Sequence, residues 1–89
     1  MPVIKKNITI KNKLGLHARP AAMFVQIANK YESDVLVRKG RQQVNGKSIM
    51  GLMTLAAEKG ASIVLKIDGP DAEEALKELE GIITSEKTI

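Results

Sequence analysis

The spacing of apolar and polar positions changes several times along this chain, and each change marks an element. From Val3 to Lys11, Ile8 and Ile10 alternate with Asn7, Thr9 and Lys11. A period of two gives a first strand with one apolar face. Residues 12–16 read as a loop, and a first helix is predicted over 18–30. Within it Ala21, Phe24, Val25 and Ala28 fall at i, i+3, i+4 and i+7, one buried stripe. Tyr31 to Ser33 leads out of the helix. Asp34 to Lys39, centred on Val35-Leu36-Val37, is a second strand. Lys39-Gly40-Arg41 is a tight turn into a short third strand ending near Val44. Asn45-Gly46 turns the chain again.

Ser48 then stands where an N-cap belongs, ahead of a short apolar helix predicted from Ile49 to about Ala57. Lys59-Gly60 is expected to end that helix with a basic last turn and a left-handed cap. Ala61 to Ile67 is a fourth strand, with Ile63, Leu65 and Ile67 on one face. Asp68-Gly69-Pro70 breaks it and starts a last helix. Asp71, Glu73 and Glu74 complement that helix's N-terminus. Its buried stripe is Ala72, Ala75, Leu76, Leu79, Ile82 and Ile83, with Gly81 inside it. Residues 85–89 are expected to fray. The order is β-α-β-β-α-β-α, for which the expected packing is an antiparallel sheet covered on one face by helices. Element order alone also admits a ferredoxin-like βαββαβ domain.

Composition narrows the function classes. At 89 residues the chain makes one domain, residues 1–89. Phe24 and Tyr31 are its only aromatics, so the core must be aliphatic. Without cysteine there is no disulfide, no thiolate chemistry and no cysteine-based zinc site, and with one histidine no metal is expected. No apolar run approaches the ~20 residues that span a bilayer. The N-terminus lacks a signal-peptide layout, so membrane insertion is not expected and the location is read as cytoplasmic. The net charge of +4 is spread along the chain. Nucleic-acid binding is not expected, since base stacking needs an aromatic platform that is missing here. The charge instead favours encounter with acidic partner surfaces.

The chemistry concentrates in Gly15-Leu16-His17-Ala18-Arg19-Pro20-Ala21, which holds the only histidine. Pro20 fits the first turn of a helix, where its missing N–H costs nothing. His17 therefore falls at or next to a helix N-terminus, beside unpaired N–H groups and the positive end of the dipole. That geometry suits phosphate. Imidazole can act as a nucleophile, and Arg19 supplies a permanent charge and a planar fork for phosphate oxygens. The combination points to a histidine that carries a phosphoryl group, with Arg19 stabilising charge during transfer. A lone histidine at a helix start is more often a surface or capping residue. Arg19 alone also admits the reading of a solvated helix arginine.

A second stretch changes that balance: Asn45-Gly46-Lys47-Ser48-Ile49-Met50-Gly51-Leu52-Met53-Thr54-Leu55. With the first, it resembles the two signature stretches of the HPr family, small phosphocarriers of the bacterial phosphoenolpyruvate-dependent phosphotransferase system. Length, motif positions and element order agree over nearly the whole chain. The resemblance implies an α+β fold, an open-faced β-sandwich: a four-stranded antiparallel sheet covered on one face by three helices. It also implies that phosphate sits on Nδ1 of His17, that enzyme I is the donor and that enzyme IIA domains are the acceptors. Such a protein is a monomeric transfer intermediate rather than a stand-alone enzyme, and it needs no cofactor.

Ile49, Met50, Leu52 and Met53 crowd one short helix. A two-turn helix cannot bury every side, so some of Ile49, Met50 and Met53 should be exposed. Methionine adapts to several partners, which suits a docking patch. The resemblance supports docking through this helix and the histidine-bearing one. Ser48 is either only a helix cap or also a regulatory phosphorylation site, since in some members the matching serine is modified by HPr kinase/phosphorylase. Two other functions compete: a regulatory carrier in the nitrogen-related phosphotransferase branch and, from a different class, a small RNA-binding module.

Overall fold

The computed structural model describes residues 3–86. Its elements run β1 (Val3–Thr9), α1 (Ala18–Ala28), β2 (Asp34–Lys39), β3 (Gln42–Asn45), α2 (Ile49–Thr54), β4 (Ser62–Asp68) and α3 (Ala72–Thr84). The strands form one sheet in the order β1-β4-β2-β3, every pair antiparallel. Because β4 runs between β1 and β2 and opposes both, β1 and β2 point the same way. The order and the open sheet are those expected.

Alternation decides which face the helices cover. Ile8 opposes Ile63 across β1 and β4, while Val35 and Val37 oppose Ile67 and Leu65 across β2 and β4. All six side chains are buried. They join Ala21, Phe24, Val25 and Ala28 of α1, Leu52 of α2 and Ala72, Ala75, Leu79 and Ile83 of α3 in one core. The alternate positions lie on the outer face, where Lys5, Arg38 and Lys66 surround Leu36 and Val64 in a shallow polar depression. Removing that aliphatic area from water is the main favourable contribution to folding.

Several boundaries differ from the sequence reading. Strand β1 stops at Thr9, not Lys11, because the chain beyond it serves two elements. Ile10 still bonds the segment leading into β4, through Ala61 (2.9 Å) and Gly60 (2.8 Å), but the Lys11 N–H donates to Ile83 in α3 (3.0 Å). Helix α1 ends at Ala28, where the Asn29 side-chain amide folds back onto the Val25 carbonyl at 3.0 Å.

The largest correction is at α2, which stops at Thr54, not near Ala57, and has no basic residue in its last turn. Lys59 and Gly60 do not cap it. Gly60, at φ +91°, belongs to the turn into β4. The C-terminal carbonyls of α2 are met from the sheet instead. Lys39 Nζ donates to the Leu55 and Ala56 carbonyls, both at 3.2 Å, and Gln42 Nε2 to Thr54 at 3.4 Å. Cations suit the negative end of a helix whether they come from the helix itself or from elsewhere.

At the start of α3, Glu73 and Glu74 occupy the first turn and Asp71 the N-cap position, as expected, but the Asp71 side chain makes no capping hydrogen bond. Its carboxylate accepts from Ser33 Oγ and from the N–H groups of Ser33 and Glu32, tying α3 to the loop before β2. Those bonds, the Ser33 hydroxyl foremost, hold its pKa below the usual carboxylate range. At the other end Ser85 is not frayed, since its carbonyl accepts from Asn12 Nδ2 at 2.8 Å. Residues 87–89 lie outside the described residues.

Tyr31 joins α1's end to α3. Its hydroxyl donates to Glu78 Oε1, and Lys30 pairs with Glu78 Oε2 at 3.3 Å. The bond to Glu78, then burial and the nearby Glu78, Glu74 and Asp71 charges, push the phenol up to about 12. The same bond, with Lys30, lowers Glu78. Because the phenol is raised, its contribution to stability is complete below pH 10 and is lost as pH rises through about 12. The lowered Asp71 and Glu78 contribute above the ordinary carboxylate range and lose that contribution as pH falls through their folded values. The only tyrosine should therefore titrate near pH 12 by ultraviolet absorbance. Glu78→Gln should return that midpoint toward 10, and an unchanged midpoint would refute the bond as its cause.

Gly81 lies inside α3, exposed, with open space where a Cβ would stand. No packing requires glycine there. Gly81→Ala should stabilise the fold by about 1 kcal/mol in urea denaturation, the difference in helix propensity.

Candidate functional site

His17 is the N-cap of α1, with φ −87° and ψ −169°. Its carbonyl accepts the Ala21 N–H at 3.0 Å and so opens the helical ladder. Its imidazole makes no capping hydrogen bond. The Ala18 and Arg19 N–H groups therefore have no intrahelical partner and no side-chain cap, while Pro20, buried, has no N–H to satisfy. The half-buried ring is left beside two donors at the positive end of an 11-residue helix. Arg19 is exposed, and the two ion pairs of the described residues, Lys6–Glu80 and Lys30–Glu78, lie elsewhere.

The loop that carries His17 is held from two sides. On one side, buried Asn12 donates through Nδ2 to the Ile82 and Ser85 carbonyls and accepts the Gly15 N–H through its own backbone carbonyl at 3.0 Å. On the other, Leu16 sinks into the core and its N–H donates to Ala57 at 2.8 Å. Gly15 makes that approach possible. At φ +74°, a Cβ there would stand 2.6 Å from the Ala57 oxygen and 2.9 Å from Glu58 Cα. The His17 loop thus lies directly on the segment that follows α2.

That contact makes a shallow, open depression lined by His17, Leu14, Leu16, Met53, Ala56, Ala57 and Glu58. Of the side chains singled out in the sequence, Met53 shares it with His17. Arg19, Ser48, Ile49 and Met50 do not line it. Ile49, Met50 and Met53 are all exposed, Met50 by 74%. Ser48 is the N-cap of α2, its hydroxyl accepting the Gly51 N–H at 3.0 Å. Sequence reasoning missed Leu14, 64% exposed, and Met23, 36% exposed. Both carried a readable sign: an apolar residue in a loop, and one off the buried stripe of α1. Among the described residues no cluster of His, Asp or Glu could hold a metal ion, and no helix is long and apolar enough to cross a membrane.

The family profile described as the PTS HPr component phosphorylation site matches residues 4–85. The chain belongs to the HPr family. It is 52% identical over 81 residues to the phosphocarrier protein HPr of Neisseria meningitidis serogroup B, covering 91% of each chain. The crystal structure of a phosphocarrier protein HPr from Bacillus anthracis superposes with a TM-score of 0.88 at 43% identity, over 93% of this chain and 99% of that one. The catabolite-repression protein Crh of Bacillus subtilis, solved as a dimer with a swapped domain, gives a TM-score of 0.75 at 43% identity over 97% and 98%. As a member of the HPr family, the chain has the fold of a phosphotransferase-system phosphocarrier.

Proposed function

We propose that this chain accepts a phosphoryl group on His17 from phosphorylated enzyme I and passes it to enzyme IIA domains in sugar uptake. One observation carries the reading. An uncommitted imidazole sits at the N-cap of α1, beside two N–H groups without helical partners and at an open surface. A carrier must stabilise its phosphoryl group moderately and leave it accessible. N–H groups at a helix start meet both needs, because they face an anion without enclosing it. In the transfer, a ring nitrogen lone pair, on Nδ1 as the family resemblance implies, attacks phosphorus as the donor's own bond to phosphorus breaks in line and its electron pair stays with the donor. Positioning and charge do most of the work in such a step. Arg19, exposed in the first turn of the helix, supplies a cation that no carboxylate of the described residues neutralises.

Docking is assigned to Ile49, Met50 and Met53, with Leu14 and Met23 extending the apolar surface. Ser48 is assigned a regulatory phosphorylation by HPr kinase/phosphorylase. A phosphate on its hydroxyl would replace the cap to Gly51 and place about −2 charge among those side chains, which opposes docking.

The test is incubation with phosphoenolpyruvate and purified enzyme I. Intact mass should show one added phosphoryl group, labile in acid and stable in alkali, and an enzyme IIA should then remove it. A chain that stays unphosphorylated would overturn the reading. In a parallel incubation with ATP and HPr kinase/phosphorylase, modification anywhere but Ser48 would remove the regulatory assignment.

A further inference from the structure

We propose that Ala56 is a docking residue for the phosphoryl donor, kept in an unfavourable backbone conformation so that its methyl group stands on the rim beside His17. The inference rests on the reading of His17 as the phosphoryl acceptor.

Among the described residues, Gly15, Gly40, Gly60, Gly69 and Ala56 have positive φ. Ala56, at φ +48°, is the only one of them with a side chain. It follows Leu55, the C-cap of α2, in the position where helices usually place glycine to avoid a Cβ clash. The chain thus uses glycine at every other left-handed position among the described residues, but not at Ala56, which lines the depression with His17.

The surroundings impose this conformation on Ala56. Its N–H donates to Met53 at 3.1 Å. The Lys39 ammonium holds its carbonyl and that of Leu55. The next residue, Ala57, is buried and accepts the Leu16 N–H. An unfavourable conformation held by so many contacts is characteristic of functional surfaces.

The methyl group faces a defined occupant. A donor can deliver phosphoryl to His17 only with its own reacting atoms about 3 Å away. It must therefore cover the depression that Ala56 shares with His17, Leu14 and Met53. The matching donor surface is apolar side chains around its phosphorylated residue. Glycine at position 56 would relax the backbone and remove one methyl from that interface.

The two consequences have opposite signs, which separates this role from a merely structural one. Ala56→Gly should raise Tm by about 2–5 °C. In steady-state transfer from enzyme I it should lower kcat/KM about fourfold, mainly through KM, the effect of one buried methyl. Ala56→Asn, which tolerates the left-handed conformation but is polar, should keep or raise Tm and also raise KM. A lower Tm for Ala56→Gly would overturn the strain, and an unchanged KM would overturn the docking role. Failure of enzyme I to phosphorylate the wild-type chain overturns the functional reading and this inference together. Normal phosphorylation with equal KM values for wild type and Ala56→Gly overturns this inference alone.

Discussion

His17→Ala is expected to abolish phosphorylation by enzyme I while leaving the domain folded. The chain holds one histidine, so no second imidazole can take over the attack. The fold should survive because the His17 side chain contributes no cap to α1. What opens the helix is the His17 backbone carbonyl, which alanine at that position would retain. Replacing a capping side chain usually costs about 1 kcal/mol, but here there is no such bond to lose. The stability change should therefore stay within about 0.5 kcal/mol, as for ordinary surface substitutions. Intact mass after incubation with phosphoenolpyruvate and enzyme I reads the first effect, and urea denaturation reads the second. A variant that gains the phosphoryl group would remove His17 from the mechanism. One that unfolds would show that the ring has a structural role the geometry does not reveal.

Gly15→Ala should produce a large loss of stability without touching the core. Two physical effects add at this position. The backbone is at φ +74°, where any Cβ is disfavoured by roughly 1–2 kcal/mol. The new methyl would also meet backbone atoms, the Ala57 oxygen at 2.6 Å and Glu58 Cα at 2.9 Å, and backbone yields less readily than a flexible side-chain end. Overpacking of this kind typically costs about 1–3 kcal/mol, so about 2–5 kcal/mol in all is expected. The loop cannot lift away without breaking the Leu16–Ala57 hydrogen bond and withdrawing Leu16 from the core. The same displacement moves His17 off the segment that completes its depression, so transfer should fall as well. Urea denaturation and the enzyme I assay check the two effects. Unaltered stability would mean that the two loops are not in the contact described.

The periods of two and 3.6 located β1, β4, α1 and α3 because burial of one face is what those elements have in common, while turn and cap residues located β3 and α2. The strand Asp34–Lys39 lies where it was predicted, and of the predicted α3 stripe Ala72, Ala75, Leu79 and Ile83 are buried while Leu76 and Ile82 are only partly so. Ser48 was legible as a cap because its function is local, three residues from its donor. The end of α2 was not legible. Its terminating contacts come from Lys39 and Gln42, which are 12 to 17 residues away in sequence. The second role of Asp71 was not legible either: it stands at the helix start as expected, but its carboxylate is also bonded by a loop 38 residues distant.

The sequence alone determined the element order, the aliphatic core and the position of a histidine at a helix start, since each depends on neighbours within a turn or two. Only the tertiary structure decided what surrounds that histidine. Packing of Leu16 beneath the segment after α2 brings Leu14, Met53, Ala56 and Glu58 around the depression that His17 lines, although most of them lie far from it in sequence. No local period encodes such a meeting. It follows from which apolar faces bury one another and from a glycine that lets two backbones touch.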